Sequence, residues 1–295
     1  ENGKLKRQSK LVASDGAIGD RFGWTVALYG DTLVIGTYND GSIGSAYIFI
    51  LIGGIWTEQQ KLTAPDAADG DGFGRSVAIY QNTIIIVAVL DEGIGSAYVF
   101  VLSGTSWSLQ DTLVASDGTA GNLFGINVKI YEDTAVIGAF GLAYVFFRIE
   151  TTWIEQGRLI ASDAVDGSIS GYSAAIYQGT ILLGVWADDG LGSAYVFDWT
   201  GTEWIQQQRL VPGSIVAGDW YGRSVAIFRD ILIVGSPRDD VMGPGSGSAY
   251  IYVRTGTSWA PLEKRVATDG SAGDQFGSAV AVIYDDALAF HANQK

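Results

Sequence analysis

Apolar residues along this chain recur two apart in short runs and never keep a helical spacing over a dozen residues. In residues 24–29, Val26 and Leu28 alternate with their neighbours, the pattern of a strand with one buried face. Gly30 and Asp31 follow, and residues 32–35 form the next apolar run, so the pair predicts a tight hairpin. Residues 38–44 read as a polar, glycine-rich loop and residues 45–49 as a third strand. Gly53 and Gly54 make a turn, and residues 56–62 a fourth strand headed by Trp56. One unit therefore holds four strands.

The unit then repeats. Residues 11–23 return as 62–74 and as 113–125, with weaker copies ending at Gly171, Gly222 and Gly277. The anchor glycines Gly23, Gly74, Gly125, Gly171, Gly222 and Gly277 stand 51, 51, 46, 51 and 55 residues apart. A period of that length marks a solenoid or a propeller. The short interval is expected to come from a trimmed loop at 139–141, the long one from an extended loop at 238–247.

The expected fold is all-β: a β-propeller of four-stranded antiparallel blades, six by repeat count, in a single domain over residues 1–295. A seven-bladed parent stays open. The last unit keeps two strands, and residues 4–12 match a lone fourth strand, because Leu5 precedes Leu11 as Trp56 precedes Leu62. That strand is expected to close the last blade in part, leaving an edge through which two copies could associate.

Composition agrees with strands and narrows the partners. Forty glycines among 295 residues weaken any helix interior. A formal net charge of −14 repels phosphate backbones and excludes nucleic acid as the expected partner. No run of 18 apolar residues suggests insertion into a membrane, and with no cysteine the fold has neither disulfides nor thiolate metal sites.

Phe22-Gly23, Phe73-Gly74, Phe124-Gly125, Tyr221-Gly222 and Phe276-Gly277, followed by runs such as Val234-Gly235-Ser236-Pro237 and then by Ser-Ala-Tyr-Val-Phe, resemble the FG-GAP repeat family of integrin alpha propeller heads. The resemblance implies a non-catalytic binding or structural module, presenting loops to a protein or glycan in an extracellular or cell-surface assembly. It also raises calcium, which the family often holds between the first and second strands of a blade. Here those places are two-residue turns, from Gly30-Asp31 to Tyr284-Asp285, too short to supply six to eight oxygens. Integrin-type calcium sites are expected to be absent, and no other cofactor is expected.

Several acids invite a weaker metal reading. Asp15 with Asp20, Asp66 with Asp69 and Asp71, and Asp269 with Asp274 bracket glycine-containing loops, where short carboxylates also cap backbone turns. Asp188, Asp189, Asp239 and Asp240 are the acids that the alternative reading, a carbohydrate-active hydrolase or lyase, would use. The plainer expectation for them is loop charge in solvent. No catalytic residue is assigned. The candidate binding surface is Trp24, Arg75, Tyr172, Trp220 and Arg223, which vary in chemistry near the start of each first strand, as aromatic and arginine contacts at interfaces do.

Overall fold

The computed structural model describes residues 10–163, 173–283 and 287–292. It contains five four-stranded antiparallel sheets and one two-stranded sheet, each in simple chain order. These are the blades. The first runs Thr25–Tyr29, Thr32–Thr37, Ser45–Ile52 and Ile55–Leu62, and the last, among the described residues, has Ala279–Ile283 and Ala287–His291. The first strands of successive blades lie side by side around an axis, which is the arrangement of a six-bladed propeller with an incomplete final blade. The lone fourth strand expected at residues 4–12 falls largely outside the described residues.

The hairpins form as their spacing predicts. Tyr29 pairs with Thr32, Tyr80 with Thr83 and Tyr131 with Thr134, so two residues turn each corner. In the third blade the strand ending at Ala139 meets the one starting at Leu142, which accounts for the short interval. No α-helix occurs among the described residues, only 3-10 turns at Asp40–Ser42, Asp91–Gly93 and Asp188–Gly190.

Alternation along each strand gives a blade two apolar faces, one for each neighbour. Val77, Ile79, Ile84 and Ile86 pack on Val34 and Ile48 of the preceding blade, while Ala78, Ile85 and Val87 pack on Val128 and Ile137 of the following one. Trp107, Trp153 and Trp259, which head fourth strands, are buried in these seams. On the outer rim the Gln60 amide exchanges two hydrogen bonds with the Trp107 backbone, at 2.8 and 2.9 Å. Gln208 and Trp259 repeat that latch.

The Phe-Gly pair joins one blade to the next. Phe73 is fully buried against Tyr98 and Phe100 of its own blade, with ring centroids 5.5 and 6.2 Å away. Gly74, at φ +89°, lies so close to the preceding blade that a Cβ would stand 2.2 Å from the Ser45 carbonyl oxygen. Only glycine suits both the angle and the distance.

The first blade lacks this cover. Val26 and Leu28 are 61% and 59% exposed, whereas their equivalents Val77 and Ile79 are 2% and 8% exposed. A Cβ on Gly23 would meet nothing within 4 Å among the described residues. Among the described residues, the face of the first blade that carries Val26 and Leu28 is thus without a full apolar partner.

Candidate functional site: the axial mouth

First strands begin on the face that also carries the loops between second and third strands, and their first residues rim the opening at the axis. Trp24, Arg75 and Arg223 line one cavity there, of about 390 Å³, with Ile126, Lys129 and Asn127 of the third blade. They converge because they occupy the same place in the first, second and fifth units, directly after the Phe-Gly or Tyr-Gly pair. Trp24 is 45% exposed and stands edge-on to Tyr38 at 4.8 Å. The Arg75 guanidinium lies over Trp24 at 4.7 Å and near Tyr38 at 5.4 Å, and Arg21 approaches the same two rings. Cation–π contact of this kind holds an arginine at the rim without neutralising it.

Lys129 escaped the sequence reading. Its equivalents in the other first strands are Ala27, Ala78, Ala175, Ala226 and Ala281, so a lysine replaces a methyl group in one blade alone. The small neighbours leave room for its stem near the axis. The Lys129 ammonium makes no hydrogen bond or ion pair with the described residues, and burial pulls it below the ordinary lysine range. Asn127 Oδ1 is likewise buried without a partner. No Asp or Glu is among the described residues lining this cavity, in a chain whose net charge is −14.

Toward the other end of the axis the first strands finish in aromatics. Tyr29, Tyr80, Tyr131, Tyr177 and Phe228 follow one another at centroid distances of 5.0 to 5.1 Å. Burial, and then the nearby Glu132, push the Tyr131 hydroxyl up to about 12. The axis is therefore cationic at one end and aromatic at the other.

Of the other expected surface residues, Trp220 stands apart. It precedes the Tyr-Gly pair at φ +58° and packs on Trp186 at 5.1 Å, with Arg238 over its ring at 3.5 Å. It does not line the mouth. Tyr172 lies outside the described residues.

The acids have other partners. Asp20, Asp71 and Asp274 each accept the backbone N–H three residues upstream, at Ala17, Ala68 and Ser271. Asp69 accepts from Ser42 Oγ, and Asp269 is exposed. Asp15 and Asp40 both accept from the Tyr47 hydroxyl and both pair with Lys61, at 2.7 and 2.6 Å. The Lys61 and Tyr47 hydrogen bonds hold Asp15 below the usual carboxylate range. Burial alone would raise Asp40, but bonds from Lys61, Ser45 and Tyr47 outweigh it and leave it lowered. The Tyr47 hydroxyl is pushed up to about 12, by burial first and then by Asp15.

The same arrangement recurs around the ring and overturns the expectation of solvated loop charge for two of the four acids. Asp188 and Asp239 are 1% and 5% exposed. Asp188 accepts from the Tyr195 hydroxyl at 2.5 Å and pairs with Arg209, and Asp239 accepts from Ser248 and Tyr250 and pairs with Lys264. Burial is tolerable because a hydroxyl and a cation from the third and fourth strands meet each carboxylate. Asp240 stays exposed and accepts the Gly245 N–H. Among the described residues no group of three or more His, Cys, Asp or Glu is placed to hold a metal. The turns where the family holds calcium are two residues long and do not fit that ion.

Repeated blades, loop-borne variation and one axial opening define a propeller scaffold. The chain belongs to the FG-GAP repeat family, whose model matches residues 5–49, 56–100, 107–146, 153–197 and 204–252. Four of these segments open at the tryptophan heading a fourth strand, and the first opens at residue 5 in the same register. Members of the family generally act as non-catalytic scaffold or binding modules. No curated protein matches the chain. No helix among the described residues is long and apolar enough to cross a membrane.

Proposed function

We propose that this chain is a non-catalytic binding scaffold, a single propeller domain over residues 1–295 that receives part of a protein or glycan partner at its axial mouth. One observation carries this reading. Three residues that break the repeat at one position, Trp24, Arg75 and Arg223, converge on a single opening of about 390 Å³. A cavity with a few convergent polar groups and an aromatic rim is the usual form of a binding site. An extracellular or cell-surface setting fits the family and the acidic surface. The alternative of carbohydrate cleavage is weakened because Asp188 and Asp239 are buried and engaged by tyrosine and a cation.

Crystals soaked separately in small organic probes such as acetamide, isopropanol and phenol test the reading. Probes should collect in the axial mouth, and a panel of polysaccharides should be returned uncleaved. Probes gathering beside Asp188 or Asp239, with cleavage of a polysaccharide, would contradict it.

A further inference from the structure

The axial mouth concentrates positive charge in a strongly acidic molecule. Lys129, Arg75 and Arg223 line the same cavity, and no carboxylate joins them among its described lining residues. Elsewhere on the ring the cation opposite a third-strand tyrosine has an acid partner: Lys61 has Asp15 and Asp40, Arg158 has Asp117, Arg209 has Asp188 and Lys264 has Asp239. Lys129 has none among the described residues, although three residues of strand, roughly 10 Å, carry it below the rim. A half-buried ammonium without a counter-charge is less favourable than one that an anion meets.

The rest of the lining narrows the anion. Ile126, Ala174, Val225 and Val280 alternate with the polar residues, so the wall has apolar steps as well as donors. A bare inorganic anion would leave those steps wet, whereas a carboxylate on a short hydrocarbon stem covers them. The volume equals that of about a dozen waters, enough for one such group. Asn127 lines the same cavity, and its amide oxygen is buried without a donor.

We propose that the axial mouth is a receptor for a carboxylate carried on a short hydrocarbon stem, with Lys129 as its seat and Arg75 and Arg223 at its rim. This rests on the reading of the mouth as the binding site. The source is either a free small dicarboxylate or an acidic side chain that a partner protein inserts. Arginine meets a carboxylate in a planar fork and lysine adds a point charge, so the three cations suit the same head group in either case.

The test is calorimetric titration of the full chain with glutarate, its neutral analogue glutaramide, inorganic phosphate, and the blocked peptide acetyl-Gly-Glu-Gly-amide. Amide chemical shifts locate each site. The key variant is Lys129→Ala, which installs the residue that the other blades carry and so keeps the fold. Glutarate or the glutamate peptide should bind, shift the amides of Thr25, Ser76 and Ser224, and lose roughly tenfold or more in affinity in K129A. Tighter binding of the peptide assigns the site to a partner's side chain, and tighter glutarate to a free ligand. Equal binding of glutaramide, equal affinity in K129A, preference for phosphate, or no binding by either carboxylate overturns the proposal. Glutaramide held at the mouth would leave the mouth as a binding site for neutral groups, whereas shifts confined to other faces would remove that reading too.

Discussion

Tyr98 donates its hydroxyl to the buried carboxylate of Asp91 at 2.9 Å, and no cation among the described residues stands opposite them. The same hydroxyl reaches Asp66 at 2.8 Å, so two acids lean on one proton donor. The cross-strand neighbour of Tyr98 is Thr112, where Tyr47 faces Lys61, Tyr144 faces Arg158, Tyr195 faces Arg209 and Tyr250 faces Lys264. Thr112→Lys should therefore complete the second blade and stabilise the protein by about 0.5–1 kcal/mol, the worth of a partly exposed ion pair. Urea unfolding of the two proteins at neutral pH measures it. A loss of stability would show that the two acids do not need a cation.

The complete networks predict large effects of the opposite sign. Asp188→Ala removes a buried acceptor from Tyr195 and one of the two acids that pair with Arg209. Taking the acceptor from a buried hydroxyl costs about 1–3 kcal/mol, and denaturant midpoints should fall accordingly. A change within experimental scatter would mean that Asp188 is solvated after all.

Acid should dissolve the first blade's network before neutral conditions touch it. Asp15 and Asp40 have folded pKa values below their ordinary 3.8, so their contribution is complete above that value and disappears as the pH falls through the lower, folded one. Lys61 is raised by its acid partners, so its share persists through neutral pH and is lost only in strong alkali. Lys61→Thr, which copies the second blade, should cost a constant amount of stability between about pH 5 and 8, and less below about pH 4. The measurement is the wild-type minus variant difference in unfolding free energy across that range. A difference that grew toward acid would reverse the sign.

Gly74 and Gly23 hold the same place in their blades and should respond unequally to alanine. At Gly74 the new methyl collides with the Ser45 carbonyl, and the expected cost exceeds about 3 kcal/mol. At Gly23 the left-handed angle of +85° remains but the space is open, so about 1 kcal/mol is expected. Thermal and urea unfolding of the two variants compare them directly. Equal costs would mean that the bare face at Val26 and Leu28 is covered as fully as every other blade.

Much of this architecture was legible because a repeat reports its own register. Period, hairpin length and the two-strand ending all follow from which residues recur, and Trp24, Arg75 and Arg223 could be grouped because equivalent positions on a ring meet at its axis. Trp220 misled for the same reason. One residue ahead of that position, with a positive φ, it turns toward Trp186 and Arg238 and away from the mouth. Lys129 was visible only as the break in a column of alanines, a signal that requires the units to be aligned strand by strand. The burial of Asp188 and Asp239 could not be read from loop composition. It depends on a tyrosine seven or eleven residues later and on a cation one strand beyond, brought close by the sheet.

The reading of the mouth as the place where a partner's group is seated is tested most directly by a crystal structure of the chain soaked in glutarate. The account predicts density for the dicarboxylate at the axis, one carboxylate against Lys129 Nζ and the stem along Ile126 and Val225. Glutarate bound on another face, with only solvent around Lys129, would contradict it.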